Sequence, residues 1–220
     1  MSNIWIFGCS FSSGYLEVPS IASYGGLLSK ELGLNLNNIA RPGNDNDKIF
    51  YDLASNLDKI EENDIIVYQF SSFNRMGFFD TEYFSSAGIP ELGTLHKHKE
   101  AAFSKYKIEE LDALLAFILT WQEKRHKFVL DNAVNTLKHL KKVKNTRNII
   151  LFLTNECVYS GEEVIFLPIE KEQGNFSLND YLDANKLTIG HEYPEKYIYG
   201  DTHPGFRGHS KIKELILNKL

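Results

Sequence analysis

The sequence is poor in cysteine and in long apolar runs, and each shortage excludes a class of protein. Two cysteines, Cys9 and Cys157, are too few for a disulfide framework or a four-cysteine zinc site. The longest apolar run, residues 113–119, is far shorter than the ~18 residues of a membrane span, and the amino terminus has no basic segment followed by a long apolar one. We therefore expect no membrane partner and place the protein in the cytoplasm, or in a compartment that it reaches by another route.

Positive charge is also in short supply. The chain has 24 Lys and Arg residues against 29 Asp and Glu residues, for a formal net charge of −5. Such a chain has no general attraction for phosphate backbones, so we expect no nucleic-acid partner.

What is present is the composition of one ordinary globular domain. The 220 residues are 43% hydrophobic, 13% aromatic and 24% charged, which excludes collagen, coiled coil and wholesale disorder. There is no internal repeat and no Gly/Ser linker, so we predict a single domain over residues 1–220. The sequence carries no signal for the oligomeric state.

Short apolar runs alternate with helical patterns along the chain. Strands that are separated by helices pair in parallel through right-handed crossovers, so we predict an α/β fold with a central parallel sheet of about five strands. The predicted strands are residues 3–8, 35–40, 64–70, 148–153 and 196–200. The predicted helices are residues 24–32, a helix capped by Asn44 or Asp45 that runs to about residue 60, and residues 208–220.

The alternation stops after the third strand. Residues 71–106 are rich in Phe, Tyr, Gly and Ser without a sustained period, which indicates a long loop or cap. Residues 108–143 have apolar side chains at helical spacing and predict two helices or one broken helix. We therefore predict a helical and loop insertion at about residues 71–147.

Three polar segments follow predicted strands at the point where each strand ends or begins to turn. They are residues 8–12, 40–44 and 200–204. Open parallel sheets build their sites at the carboxyl ends of the strands. A serine hydroxyl needs a base to remove its proton, and the base needs an acid partner. Asp201 and His203 have the chemistry for these two roles. Their side chains can contact each other because residues i and i+2 of an extended segment point to the same side. Ser10 would face them across neighbouring strands.

These segments resemble the SGNH or GDSL-like hydrolases. Gly8-Cys9-Ser10-Phe11-Ser12 is similar to the nucleophile block of that family, 38–43 to its second block, and Asp201-Thr202-His203-Pro204 with Gly208-His209 to its Asp/His block. The resemblance brackets nearly the whole chain in the right order. It implies a flavodoxin-like three-layer α/β/α sandwich and carboxylic-ester chemistry.

The resemblance also implies residue roles. Ser10 would be the nucleophile, His203 the general base and Asp201 its orienting acid. The oxyanion hole would be formed by the backbone N–H groups of Ser10 and Gly43 and by a side-chain amide after the third strand, assigned to Asn74.

The third block departs from the family pattern. The usual Gly-x-Asn-Asp is replaced by residues 70–75, so Asn74 sits about one position late and Ser71 or Ser72 can take its place. We regard Asn44, Ser71, Ser72 and Arg75 as candidates for substrate contact.

Other readings of these residues are weaker. The α/β-hydrolase elbow needs a glycine at position 12, which is Ser12. Cys9 could be a thiol nucleophile, but a small buried thiol fits better. His96 and His98 form a His-x-His pair without further ligands, so we predict no metal and no cofactor.

The sequence thus predicts a serine-dependent esterase that removes a short acyl group, such as acetyl, from a carbohydrate or other small ester through an acyl-enzyme. Two alternatives remain. The same triad can act as an O-acyltransferase, or the chain can be a catalytically silent member of the fold that binds a carbohydrate or a peptide.

Overall fold

A computed structural model describes most of the chain. It covers residues 2–15, 18–72, 78–79, 84–85, 108–154, 165–166, 169–171, 174–197 and 201–220, and it describes side chains in 2–15, 18–72, 124–154, 177–197 and 201–220.

Helices lie between the first, second, third and fourth predicted strands, as the sequence predicts. The strands are Asn3–Phe7 (β1), Asn35–Asn38 (β2), Ile65–Phe70 (β3), Phe78–Phe79 (β4), Phe84–Ser85 (β5), Arg147–Phe152 (β6), Ile165–Phe166 (β7), Ile169–Lys171 (β8) and Gly174–Phe176 (β9). The helices are Ser10–Ser13 (α1), Tyr24–Leu32 (α2), Asn46–Ala54 (α3), Ile108–Lys144 (α4), Leu178–Ala184 (α5), Ile189–Glu192 (α6) and Phe206–Leu217 (α7), with a 3-10 turn at Ser20–Ala22.

Four strands of four to six residues build the central parallel sheet, in the order β2-β1-β3-β6, and the two-residue β7 pairs with β6 at the edge. The register places Phe7 beside Tyr68 and Phe70 beside Phe152. The carboxyl ends of β1 and β3 therefore lie next to each other in the middle of the sheet.

Both faces of the sheet are covered. Alternate side chains of β1 and β3, such as Ile4 and Val67, pack against residues of α2, α5 and α7. The intervening side chains, such as Phe7 and Tyr68, pack against residues of α3 and α4. This confirms the three-layer α/β/α sandwich, and it explains why β1 and β3 are apolar at successive positions.

The predicted strand over 196–200 differs from the structure. Lys196 and Tyr197 lie in a turn, and 198–200 fall outside the described residues. Residues 201–204 do not belong to a strand of the central sheet, and their backbone bonds to α6: Ile189 N–H donates to His203 O at 2.7 Å and Gly190 N–H donates to Asp201 O at 3.2 Å. The carbonyl groups of Asp201 and His203 thus accept hydrogen bonds from the first residues of α6.

The predicted positions of the helices agree with the structure better than their predicted lengths do. The helix over residues 24–32 is confirmed, with Ser23 as its cap. α3 ends at Ala54 and not near residue 60, and Asp45 caps it by accepting a hydrogen bond from Lys48 N–H at 2.9 Å. α4 is one continuous helix of 37 residues, so the prediction of two helices or a broken helix was wrong. No Gly or Pro interrupts it.

None of the helices among the described residues combines the length and the apolar character that crossing a membrane requires.

Candidate functional site

Ser10 lies at the carboxyl end of the central strand β1. The strand ends at Phe7, Cys9 has extended backbone angles, and Ser10 is the first residue of the short helix α1. The backbone N–H groups of Ser12 and Ser13 both donate to Cys9 O, which closes the turn. The Ser10 side chain is thereby held at the edge of the sheet.

Gly8 is required by close packing in this turn. A Cβ atom on Gly8 would lie 2.6 Å from Ser12 Oγ and 2.8 Å from Gln69 Oε1, both closer than real Cβ contacts. Since both atoms belong to one buried hydrogen-bond network, a side chain at position 8 would displace the loop that carries Ser10.

The structure brings Ser10, His203 and Asp201 together across 193 positions of sequence. Ser10 Oγ lies 2.8 Å from His203 Nε2, and His203 Nδ1 lies 2.7 Å from Asp201 Oδ1. The same carboxylate oxygen accepts a hydrogen bond from His203 N–H at 3.0 Å. With the proton on Nδ1 facing the carboxylate, Nε2 is the acceptor for the Ser10 hydroxyl.

Two aromatic rings contact the imidazole of His203. The ring centroid of Tyr15 lies 4.3 Å from that of His203 in a stacked arrangement, and the ring of Phe11 lies at 4.7 Å. The orientation of the imidazole is therefore fixed by packing as well as by Asp201. The sequence analysis did not identify either ring.

The turn after β2 lies beside the turn after β1. Arg41 N–H donates to Gly8 O at 3.3 Å, and Asn44 Nδ2 donates to the same oxygen at 3.1 Å. Gly43 has a φ of 81°, the left-handed region that favours glycine. Asn44, a candidate for substrate contact, is buried with its amide bonded to the backbone of the neighbouring loop.

The end of β3 is tied to α3. Asn46 Oδ1 accepts a hydrogen bond from Ser71 N–H at 2.7 Å, and Asn46 Nδ2 donates to Ser71 O at 3.1 Å. Ser71 is buried, and its hydroxyl has no hydrogen-bond partner among the described residues. Ser72 is half-buried.

A buried hydrogen-bond network lies beneath Ser10. Gln69 Oε1 accepts from Ser12 Oγ at 2.5 Å, Gln69 Nε2 donates to Cys9 Sγ at 3.2 Å, and Tyr24 OH donates to Ser12 Oγ at 2.6 Å. Cys9 is fully buried. Burial also raises the pKa of Tyr24 well above its ordinary value, so the phenol stays protonated. Gln69 was missed, although it is the only amide in the β3 sequence IIVYQF.

His209 is a second histidine near the site, and it is fully buried. Its Nδ1 accepts a hydrogen bond from Tyr24 N–H at 3.1 Å, and its ring lies 5.9 Å from the ring of Tyr24. Burial, with a smaller contribution from the charge of His203, lowers the pKa of His209 to about 3. The His209 ring is therefore neutral at physiological pH.

Comparison with known proteins identifies the architecture. No protein-family model matches the sequence, and no curated protein matches it. Among solved structures, one described as a lipolytic protein of the G-D-S-L family from Desulfitobacterium hafniense DCB-2 aligns over 100% of both chains, with a TM-score of 0.50 and 11% sequence identity. The chain has the GDSL hydrolase fold.

Two further structures align less closely. A lipase/acylhydrolase from Enterococcus faecalis is 13% identical over 99% of this chain and 94% of its own, with a TM-score of 0.40. The acetyl xylan esterase AlAXEase is 13% identical over 98% of both chains, with a TM-score of 0.42. At these scores neither adds to the case for the GDSL fold.

Four residues that the sequence analysis singled out lie outside the described part of the chain. They are Asn74 and Arg75, which follow β3, and His96 and His98. Ser10, Gly43 and Ser71 follow β1, β2 and β3, whose carboxyl ends lie at one edge of the parallel sheet. The contact between Ser10 and His203 brings His203 and Asp201 to the same edge.

Proposed function

We propose that the protein is a serine-dependent carboxylic-ester hydrolase in which Ser10, His203 and Asp201 form the catalytic triad. The observation that supports it is the continuous hydrogen-bonded series from Ser10 Oγ through both nitrogens of His203 to Asp201 Oδ1. Serine, imidazole and carboxylate in this order are the groups that acyl transfer needs.

The proposed reaction has two steps. Ser10 Oγ attacks the acyl carbon while His203 Nε2 takes its proton, and Asp201 stabilises the imidazolium. The tetrahedral intermediate collapses, His203 returns the proton to the departing alcohol, and the acyl group stays on Ser10. Water then attacks the acyl-enzyme with His203 again as base, which releases the acid and restores the Ser10 hydroxyl.

The negative oxygen of each intermediate needs hydrogen-bond donors. We assign the backbone N–H groups of Ser10 and Gly43 to this role, with the Asn74 amide as the third donor. The N–H of Ser10 belongs to the first turn of α1, where N–H groups lack intrahelical partners. The turn of Gly43 is bonded to the Ser10 loop through Arg41 N–H and Gly8 O.

For the substrate we propose a small ester with a short acyl group, such as an O-acetylated carbohydrate. The half-buried ring of Tyr15 beside His203 supports this class, because an aromatic ring at the site offers an apolar face to the substrate. Arg75, Ser71 and Ser72 remain candidates for substrate contact.

A serine-reactive fluorophosphonate tests the triad without knowledge of the substrate. Intact-mass analysis of the wild-type protein should show one adduct, which peptide mapping should place on Ser10. Ser10→Ala should abolish the adduct and His203→Ala should slow it on the order of 10⁴-fold or more, because the hydroxyl then lacks its base.

Ser13→Ala is the matched control. Ser13 lies on the same short helix, but its hydroxyl donates to backbone oxygens, Gly14 O at 3.0 Å and Ser10 O at 3.4 Å, and not to His203. It should label like the wild type. Absence of an adduct on folded wild-type protein, or labelling that persists in Ser10→Ala, would refute the triad.

The acyl acceptor is tested separately. Short-chain model esters and acetylated sugars should be hydrolysed, and the products should be followed with and without an added alcohol. A dominant transfer product would indicate an acyltransferase. Labelling of Ser10 without turnover of any ester would contradict the proposed substrate class and leave the triad intact.

A further inference from the structure

Three consecutive buried residues connect the loops of the site. Asn44 Nδ2 donates to Gly8 O at 3.1 Å, in the loop that carries Ser10. Asn46 holds both backbone groups of Ser71, at 2.7 and 3.1 Å, where β3 ends. The two amides therefore join the segment after Gly43 to the loop after β1 and to the end of β3.

The residue between them, Asp45, joins the same segment to α4. Asp45 Oδ1 accepts from Lys48 N–H at 2.9 Å, and Oδ2 accepts from Arg125 at 3.2 Å. Arg125 also forms an ion pair with Asp47. Arg125 lies on α4, within the segment that no family motif covers.

The burial of these groups makes the connections rigid. Asn44, Asp45 and Asn46 are 4%, 0% and 5% exposed. A buried amide or carboxylate without a hydrogen-bond partner raises the free energy of the folded state, because the group has been removed from water. Each group therefore favours the one arrangement in which all of its hydrogen bonds are formed. An asparagine that faced the substrate would instead keep its amide free for it.

We propose that Asn44, Asp45 and Asn46 are positioning residues that hold the loops of Ser10, Gly43 and Ser71 in the arrangement that oxyanion stabilisation needs. The proposal rests on the proposed esterase function. Donors aimed at a developing oxyanion act because they are fixed before the reaction, and a displacement of about 1 Å can cost on the order of 10²-fold in rate.

The proposal predicts a particular kinetic signature. Asn44→Ala and Asn46→Ala should lower the rate of fluorophosphonate labelling and the kcat for a short ester about 10- to 100-fold. KM should stay within about three-fold, because these side chains do not contact the substrate, and the pH profile should keep its shape because Ser10, His203 and Asp201 are intact.

Asn148 provides a matched control at the opposite edge of the sheet. It is 3% exposed, its Nδ2 donates to Leu137 O at 2.7 Å, and its Oδ1 accepts from Thr146 Oγ1 at 2.9 Å. Asn148→Ala removes an equally buried amide near the amino end of β6. It should lower the melting temperature as the other two do, yet label and turn over at the wild-type rate.

The outcomes separate this proposal from the proposed function. Wild-type protein that gives no Ser10 adduct would refute the function, and the positioning role with it. A labelled wild type with unchanged kcat in Asn44→Ala and Asn46→Ala, or an equal loss in Asn148→Ala, would overturn the positioning role alone. If either alanine variant does not fold, the labelling rate and the kcat of Asn44→Ser are measured instead and compared with the wild type in the same way.

Discussion

The polar residues of this protein divide into those that face the site and those that hold it in place. His203 and Asp201 keep about a fifth of their side chains exposed, whereas Ser12, Gln69 and His209 are fully buried. Because buried polar groups need partners, the second set ties the Ser10 loop to β3, α2 and α7. The geometry around Ser10 therefore depends on side chains that are closed to solvent.

His209 makes stability depend on pH. Its pKa is about 3 in the folded protein and near 6.5 in the unfolded chain, so the unfolded chain binds more protons between these values. The free energy of unfolding therefore falls as the pH falls through this window, by about 1.4 kcal/mol for each pH unit. From pH 6.5 to 4.5 the loss from this residue is about 2 kcal/mol, because the unfolded imidazole is already half protonated at pH 6.5.

Urea unfolding at pH 7 and at pH 4.5 measures this loss. His209→Gln keeps an acceptor for Tyr24 N–H but does not titrate, so its loss between the two pH values should be smaller than that of the wild type by about 2–3 kcal/mol. Other groups titrate equally in both proteins and cancel in the difference. The same decrease in both proteins would show that His209 is not the source.

Tyr15 should assist His203 through its ring and not through its hydroxyl. An aromatic face near an imidazolium is worth about 0.5–2 kcal/mol. Tyr15→Leu should therefore lower kcat/KM for a short ester about 2- to 30-fold, and Tyr15→Phe should retain the wild-type value. A larger loss in Tyr15→Phe than in Tyr15→Leu would assign the effect to the hydroxyl.

Among the elements, α3 and α4 are joined by charge as well as by apolar packing. Ile49 and Leu53 of α3 lie in one cluster with Val134 and Leu137 of α4. At the end of α3 nearest the site, Arg125 of α4 is 8% exposed and pairs with the fully buried Asp45. The long helix is therefore bound to α3, the helix that follows the turn of Gly43.

Removing Arg125 should leave the carboxylate of Asp45 buried without its cation. Arg125→Met is expected to lower the free energy of unfolding by about 3 kcal/mol, which is typical of a broken buried pair. Asp45→Asn keeps a side-chain oxygen to cap α3, so adding it to Arg125→Met should recover most of the loss. Denaturant unfolding of both single variants and the double variant measures the coupling, and strictly additive effects would contradict it.

At the scale of the whole molecule, the two apolar layers share one sheet. Side chains of β1, β3 and β6 contribute to both clusters, so neither layer can unfold without exposing a face of the same strands. α4, although it belongs to the segment predicted as an insertion, supplies much of the layer on one face. We propose that residues 1–220 are a single domain.

Such a domain should unfold in one transition. Far-ultraviolet circular dichroism, which reports all helices, and fluorescence of Trp5, which lies buried in β1, should give the same midpoint in urea. Trp121 on α4 also contributes to fluorescence, so the measurement should be repeated in Trp121→Phe. Two separate midpoints would indicate that α4 or another part of the chain unfolds independently.

The sequence alone was sufficient for features that depend on neighbouring residues. The apolar runs that became β1 and β3, the helix Tyr24–Leu32 and the tight turn at Gly8 each follow from local periodicity and turn chemistry. The motif order also pointed to Ser10, Asp201 and His203, whose catalytic roles remain predictions. Local patterns were less reliable for lengths: α4 continues through residues 120–128, where its apolar spacing weakens, and no Gly or Pro ends it there.

Only the tertiary structure decided which distant groups meet. Asn44 has its partner in Gly8, 36 positions away, and Cys9 has its partner in Gln69, 60 positions away. Ser10 and His203 are separated by 193 positions, and their 2.8 Å contact depends on the packing of two termini against one sheet edge. A sequence motif specifies which chemical groups are available. Burial selects their hydrogen-bond partners, because a buried polar group must bond to a group that the fold places within reach.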